Sequence, residues 1–440
     1  MTSDAGVPLL PTNSNNDIKI SDKASISGAV FNVSTTMVGA GIMSIPATFK
    51  VLGVFSALFL IVVVAFLADL SANFLLRFTN SDDTKSFSGE TMTYGGVMKE
   101  SFGSIGSLLV QISVIITNWG CLVVYLIILG DVFCGSERGE TLHLGILQEW
   151  FGSQWWNTRP YALLAIVVCV LLPLVLFRRV ESLKYSSALS ILLAVFFVCI
   201  SLVMAISALI QGKTEKPRLF PDLNGQFSFF NLFTAVPVIV TAFTFHFNVL
   251  PITSELGNPS KMEKALKISL ILCVAIYFSI GLFGYLLFGD TIASDILVNF
   301  DRSSESPLLN DVVRLSYALH LVLVYPMVNF PLRLFIDELV FPKKPVLAND
   351  NFRFFSLTSV ILSLSYLAAI VIPDIWIFFQ YVGSTAIVLI VFIFPAAITL
   401  RDVRGIFSLQ DQIIAVIMVI LAVLTSTISI STNIYSGSES

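Results

Sequence analysis

The chain has 440 residues, of which 56% are hydrophobic and only 12% charged, a balance that excludes a water-soluble globule. Its formal net charge of -4 comes without a basic patch, which excludes a nucleic-acid-binding surface. What remains is an all-α polytopic membrane protein. A helix needs about 20 mainly apolar residues to cross a bilayer. That ruler predicts eleven spans, near 28-49, 52-78, 105-133, 160-177, 184-210, 228-251, 265-288, 308-335, 352-372, 376-399 and 410-432.

In chain order, residues 1-25 are polar and carry no apolar core, so they read as a disordered cytosolic tail rather than a cleaved signal peptide. The first span, Gly28 to Phe49, is interrupted midway by Gly39-Ala40-Gly41 and again by Pro46. Backbone groups freed by such a break find no water in hydrocarbon, so a break survives only where it is buried in protein or lines a solute cavity. The second span holds Asp69, whose plainer role is a bonded residue near the cytosolic interface. Between spans two and three, Thr93 to Phe102 reads as an amphipathic interfacial helix flooring the bundle. Span three carries Asn118 and Tyr125, two turns apart on one face, which suit a substrate carboxylate, a gate or an interhelix bond. The far-side loop Glu149 to Trp156 reads as an aromatic belt segment.

The sixth span, Asn231 to Glu255, carries Pro237 and Pro251 around the polar string Thr244-Phe245-His246-Phe247-Asn248. Paired broken helices in two halves of a chain point to a secondary transporter with its site at the bilayer midplane. Gly41 precedes Pro46 by five residues, as His246 precedes Pro251. Five spans per half invert the second half relative to the first. The expected organisation is a cytosolic tail (1-25), a first five-helix repeat (26-210), a far-side loop (211-227), a second repeat (228-400), and an eleventh helix with a short far-side tail (401-440).

Most basic residues fall on the cytosolic side if the N-terminus is inside, among them Arg178, Arg179, Lys184, Lys261, Lys264 and Lys267. The C-terminus then lies on the opposite side. Four of the five cysteines fall within spans and Cys134 near the far-side interface, so no far-side disulfide is available. The three histidines are too scattered for a metal site, and no catalytic or phosphate-binding motif stands out. Neither an enzyme nor a cofactor is expected.

Four fragments in order, VFNVSTTMVGAGIMSIP, TNWGCLVVYLIILGD, FHFNVLPITSELGNPS and RLSYALHLVLVYPMVNFPLR, resemble the amino acid/auxin permease family. Within that family the chain is most similar to plant vacuolar amino acid transporters related to sodium-coupled neutral amino acid transporters. The resemblance implies two inverted repeats plus an extra helix, and solute transport by alternating access. In sodium-coupled relatives, the Asn matching Asn32 and a hydroxyl-bearing residue in span eight are associated with the ion. Val324 stands at that span-eight position here and has no oxygen to offer.

Physical chemistry assigns roles to the same region. An amino acid zwitterion needs donors for its carboxylate and acceptors for its ammonium. The break in span one, Gly39, Ala40 and Gly41 with nearby Thr36, offers bare N-H groups at a positive dipole end. The carbonyls around Phe243, Thr244, Phe245 and His246 suit the ammonium. His246 and His320 are the only histidines within spans, and ionisable groups at membrane depth are functional candidates. With Asn32 and Asp69 they are the candidate ion or proton couplers. The expected function is proton-coupled symport of mostly neutral amino acids from vacuole lumen to cytosol. The alternatives are a sodium-coupled plasma-membrane importer and an amino acid sensor on a transporter fold.

Overall fold

The computed structural model describes residues 25-80, 93-138, 141-214, 216-223, 228-293, 295-302, 307-342, 344, 347-372 and 378-439. The expected tail 1-25 therefore lies almost wholly outside the described residues. The bundle opens with α1 (Ile26–Met37), capped by the Ser25 hydroxyl accepting the Gly28 N-H at 3.0 Å, and α2 (Gly41–Leu52). These two are bent by 59° across residues 38-40, so the interruption read from Gly39-Ala40-Gly41 is present. Gly53 ends α2 with φ +72, and a Cβ there would stand 2.7 Å from the Phe220 backbone. Both constraints demand glycine, because the chain at Arg218 to Phe220 runs against this turn, its Arg218 and Leu219 carbonyls accepting the first N-H groups of α3 (Val54–Asn80).

Helix α4 (Tyr94–Cys134) is broken at Gly103, φ +69, which sets the amphipathic stretch Tyr94 to Phe102 off from the long span. That stretch is not merely interfacial: Tyr94 is buried and donates its hydroxyl to the Ile390 carbonyl at 2.8 Å. A two-stranded antiparallel hairpin, β1 (Ser136–Arg138) and β2 (Thr141–His143), leads into the short α5 (Ile146–Phe151). Then α6 (Arg159–Ile166) passes through a π-helical turn, Val167–Leu171, just ahead of Pro173 in α7 (Leu172–Val175). Helix α8 (Lys184–Ile210) completes the first half.

The second half begins with α9 (Ser228–Asn231), α10 (Ala235–Ala242) and α11 (His246–Leu256), the last two separated at Phe243 to Phe245 as expected. Helix α12 (Pro259–Phe288) starts at the cap Asn258 with Pro at its first position, where a missing N-H costs nothing. There follow α13 (Ile296–Arg302), α14 (Pro307–Val340) and α15 (Asn351–Val371). A π-helical run, Phe378–Ile387 and Leu389–Ile393, continues into α16 (Phe394–Arg401), and α17 (Leu409–Glu439) ends the bundle.

Among the described residues nine helical segments are long and apolar enough to cross a membrane, and the bent pair α1-α2 makes ten. The remaining expected span corresponds to Arg159–Val175, a shorter apolar helix. The apolar stretch of Phe229–Leu256 is 83% buried and that of Leu308–Val340 is 78%, against 28% for Leu409–Tyr435. The interrupted sixth helix and α14 therefore form the core, and α17 lies against lipid. Phe59, Ile105, Leu192 and Ile271 are exposed on outward faces, as a bilayer-embedded surface requires.

Candidate functional site

The two breaks meet each other at the centre of the bundle. A Cβ on Gly41 would stand 3.3 Å from the Ala242 Cα, so the start of α2 lies directly against the end of α10. Four carbonyls freed by the breaks, those of Met37, Val38, Gly39 and Ala242, face side chains of neighbouring helices. The Tyr277 hydroxyl of α12 lies 2.7 Å from both the Met37 and the Ala242 carbonyl oxygens, and its single proton serves one at a time. From α14, the Tyr317 hydroxyl donates to the Gly39 carbonyl at 3.2 Å. These contacts satisfy the rule that unwound backbone at membrane depth must find partners inside the protein.

On the donor side, Gly39 has no room for a side chain, since a Cβ would fall 2.2 Å from the Tyr125 hydroxyl. That hydroxyl also faces the Ala40 backbone, at the N-terminus of α2. Tyr125 thus reaches the spot predicted for a substrate carboxylate, and its ring packs 6.5 Å from that of Tyr325. Val38, Ala40, Phe243, Phe245 and the tyrosines around them are all buried, so the breaks are closed to solvent. Phe243 packs edge-on against Tyr277, and Thr244 turns its hydroxyl back to the Val240 carbonyl.

The two histidines sit on opposite sides of this centre. His246, the first residue of α11, stacks on Phe245 and points at α3, its Nε2 2.7 Å from the Ser71 hydroxyl. Ser71 donates its proton to the Ala68 carbonyl at 3.0 Å, so it accepts from His246 Nε2-H. The other ring nitrogen, Nδ1, is buried without a partner. His320 instead touches the break itself. Its Nε2 lies 3.0 Å from the Val38 carbonyl and its Nδ1 2.8 Å from the Ser190 carbonyl of α8. Carbonyl oxygens only accept, and an imidazole donates from both nitrogens only when protonated. A neutral His320 ring therefore donates to one of these carbonyls at a time, and a protonated one to both.

Other predicted residues lie around rather than in the break. The Thr36 hydroxyl donates to the Asn32 carbonyl at 2.8 Å and accepts from Asn248 Nδ2 at 3.0 Å, tying α1 to α11. Asn248 also donates to the Met327 carbonyl of α14. Asn32, more than a turn from the break, donates from Nδ2 to the Val180 carbonyl at 3.0 Å, while its Oδ1 is buried and unpaired. Asn118 is fully buried with both amide ends unpartnered, two turns from Tyr125. Asp69 is not brought to the centre: it faces Asn73 and the charges of Lys267 and Glu263.

Sequence reasoning missed Tyr277, Tyr317 and Ser71, and named Asn248 in the polar string without giving it a role. A signal existed for one of them, because Tyr317 and His320 are three residues apart and share a helix face, and their rings stack at 5.6 Å. At one end of the bundle, α5 lies over the ends of α4 and α14. Arg314 donates to the Glu149 carboxylate and to the Leu144 carbonyl, and Trp150 donates to Asp311. Trp150 and Trp155 remain exposed, at 55% and 72%, in keeping with the belt expected there.

The sequence profile of the transmembrane amino acid transporter proteins matches residues 22-435. The chain belongs to that family. It is 58% identical over 416 residues to amino acid transporter AVT6C of Arabidopsis thaliana, covering 94% of each chain. It is 56% identical over 432 residues to amino acid transporter AVT6D of the same plant, covering 97% of each. In fold it is similar to a manganese transporter from Eremococcus coleocola, known from crystal structures of mutants. The TM-score is 0.58 at 14% identity, over 94% of this chain and 91% of the other. Membership of a transporter family makes this protein a membrane transporter of amino acids and not an enzyme.

Proposed function

We propose that the protein is a proton-coupled symporter that moves neutral amino acids from the vacuole lumen to the cytosol. The observation that carries the coupling is His320, held between the Val38 and Ser190 carbonyls in a geometry that only the protonated ring satisfies. One partner is the span-one break, so arrival or loss of the proton acts directly on the site. Val324, one turn further along α14, is buried and apolar, which argues against sodium as the coupled ion.

The substrate site is the junction of the two breaks. The substrate carboxylate takes the place of the Tyr125 hydroxyl at the N-terminus of α2, near Gly39, Ala40 and Gly41. Its ammonium meets carbonyls at the end of α10, from Phe243 to His246. Thr36 and Asn118 line the same route, and His246 and Asp69 are secondary candidates for proton movement. Neutral substrates suit this site because the buried cations of α14 are engaged elsewhere: Arg314 by Glu149 and Arg333 by the Val175 and Phe177 carbonyls.

Alternating access in this reading moves two inverted repeats, 26-210 and 228-400, against each other. Arg159–Val175 serves as the short fourth span, and the segment from 401 onwards supplies an eleventh. The N-terminus faces the cytosol, in line with the cluster of Arg178, Arg179, Lys261, Lys264 and Lys267 on one side. A lumen about 1.5 to 2 pH units more acid than the cytosol supplies roughly 2 to 3 kcal/mol per proton. That supports an accumulation of roughly 30- to 100-fold.

The test is counterflow and net uptake of a labelled amino acid panel in proteoliposomes, with an imposed pH gradient and sodium present or replaced by choline. Uptake following the proton gradient without sodium is expected. A sodium requirement would move the protein to a plasma-membrane importer, and binding without flux would make it a sensor.

A further inference from the structure

We propose that Glu255 is a gating residue that closes the cytosolic exit by gripping the backbone of the loop between α7 and α8, with Asn32 completing the grip. This rests on the transporter reading and orientation above. Glu255 stands at the last turn of α11, and both its carboxylate oxygens are engaged. Oε1 accepts the Val180 N-H at 2.9 Å and Oε2 accepts the Glu181 N-H at 2.7 Å. From α1, Asn32 Nδ2 donates to the Val180 carbonyl at 3.0 Å. Val180 is therefore held by its N-H from one broken helix and by its C=O from the other.

The seam is tight. Ala29, Asn32, Val180, Glu181, Ile252 and Glu255 line one narrow crevice. The Glu181 carboxylate folds back over α1, 3.0 Å from where a Cβ on Gly28 would stand, and Lys184 holds it at 2.7 Å. Helices α1 and α11 are the two half-helices that end at the breaks, so residues 38-40 and 243-245 are their natural hinges. A solute leaving the junction towards this end has to part α1 and α11 from the α7-α8 loop. The bonds that resist that movement are the three described, two of them from adjacent N-H groups to the two oxygens of one carboxyl group. Glu255 touches no substrate in this arrangement: it acts through the position of the loop.

The experiment uses the full chain in proteoliposomes with Ile252→Cys as reporter and a membrane-impermeant maleimide applied from either side. Native cysteines form the common background in every arm. Glu255→Ala is expected to raise cytosolic-side labelling of the reporter by about tenfold, the effect of one hydrogen bond lost from a two-state equilibrium. Counterflow persists while accumulation driven by the pH gradient falls. Glu255→Gln, which keeps one acceptor oxygen, falls between, and adding Asn32→Ala to Glu255→Ala changes less than the sum of the two. Val180→Pro is the second variant: Val180 has φ -65, which proline adopts, and the change deletes the N-H that Glu255 Oε1 accepts. It is expected to open the same seam without touching the carboxylate. Unchanged labelling in a Glu255→Ala or Val180→Pro protein that still performs counterflow overturns the gate. Increased labelling from the far side alone overturns the orientation, and absence of counterflow in the parent overturns the transporter reading itself.

Discussion

Gly39→Ala tests most directly the packing of Tyr125 against the span-one break. The added methyl falls 2.2 Å from the Tyr125 hydroxyl and 3.2 Å from the ring carbon that bears it. An ordinary contact is near 3.4 Å or more, so the hydroxyl must retreat by over 1 Å. It cannot swing freely, because Tyr125 is 3% exposed and its ring is backed by Tyr325. Overpacking of this kind costs about 1 to 3 kcal/mol, and the wedge also displaces the N-terminus of α2. Removing the hydroxyl with Tyr125→Phe leaves only the 3.2 Å contact, which a shift of a few tenths of an ångström relieves. The double variant should therefore recover most of the stability lost in Gly39→Ala. A coupling of about 1 to 2 kcal/mol is expected in a double-mutant cycle. The readout is reversible unfolding or the thermal midpoint of detergent-purified protein, with counterflow recorded alongside. A Gly39→Ala protein as stable as the parent, or one that Tyr125→Phe does not rescue, would refute the placement of Tyr125 against the break.

Tyr277→Phe removes the hydroxyl shared by the Met37 and Ala242 carbonyls; Met37 keeps the Gly39 N-H at 2.9 Å, and the buried Ala242 acceptor left unpaired costs about 1 to 3 kcal/mol, so a lower thermal midpoint and slower transport are expected. Arg333→Lys cannot reproduce the bonds to the Val175 carbonyl, the Thr358 hydroxyl and the Phe177 carbonyl, nor the guanidinium stacking 4.0 Å over Phe354. It should destabilise nearly as much as Arg333→Met. For Glu149, outside the spans, burial raises the carboxyl pKa against the opposing pull of Arg314. Its unfolded form then ionises first as pH rises, so its contribution to stability is present below the ordinary carboxylate pKa and is lost as pH rises through the folded value. Glu149→Gln should flatten that part of the stability-pH curve, and an unchanged curve would assign the effect to another group.

The breaks were legible because their signal is chemical and local. Gly39 and Gly41 followed by Pro46, and a polar string ahead of Pro251, contradict a continuous apolar helix wherever they occur. Other features were not legible because they depend on which helix lies opposite. Tyr277 and Tyr317 sit among many aromatic residues in apolar spans, and only the location of the freed carbonyls distinguishes them. Asn32 reads as a candidate ion coupler through its match to sodium-coupled relatives, and the Val180 carbonyl that its Nδ2 meets is announced by no side-chain pattern. The π-helical run at Phe378–Ile387 has the same apolar composition as an α-helix of that length. The kink at Gly103 shows the converse, since one glycine split what reads as an amphipathic helix followed by a span.

In the proton-coupled reading proposed above, the energy of the His320 bond and that of the proton gradient are of similar size. If His320 loses a proton, one of its nitrogens presents a lone pair to either the Val38 or the Ser190 carbonyl, and a hydrogen bond becomes a repulsion. Losing a buried bond of this type costs about 1 to 3 kcal/mol. A gradient of 1.5 to 2 pH units offers roughly 2 to 3 kcal/mol per proton. A cost much smaller than the gradient would leave conformation indifferent to the proton, and one much larger would trap the protonated state. His320→Gln, whose amide offers one donor nitrogen in place of two opposed ring nitrogens and has no proton to gain or lose, should therefore fix the site at an intermediate setting. Counterflow survives, because exchange needs no net proton movement, while uptake no longer responds to an imposed pH gradient. If gradient-driven uptake in this variant matched the parent, coupling through the Val38 carbonyl would be excluded, and the unpaired Nδ1 of His246 beside Ser71 would become the group to test.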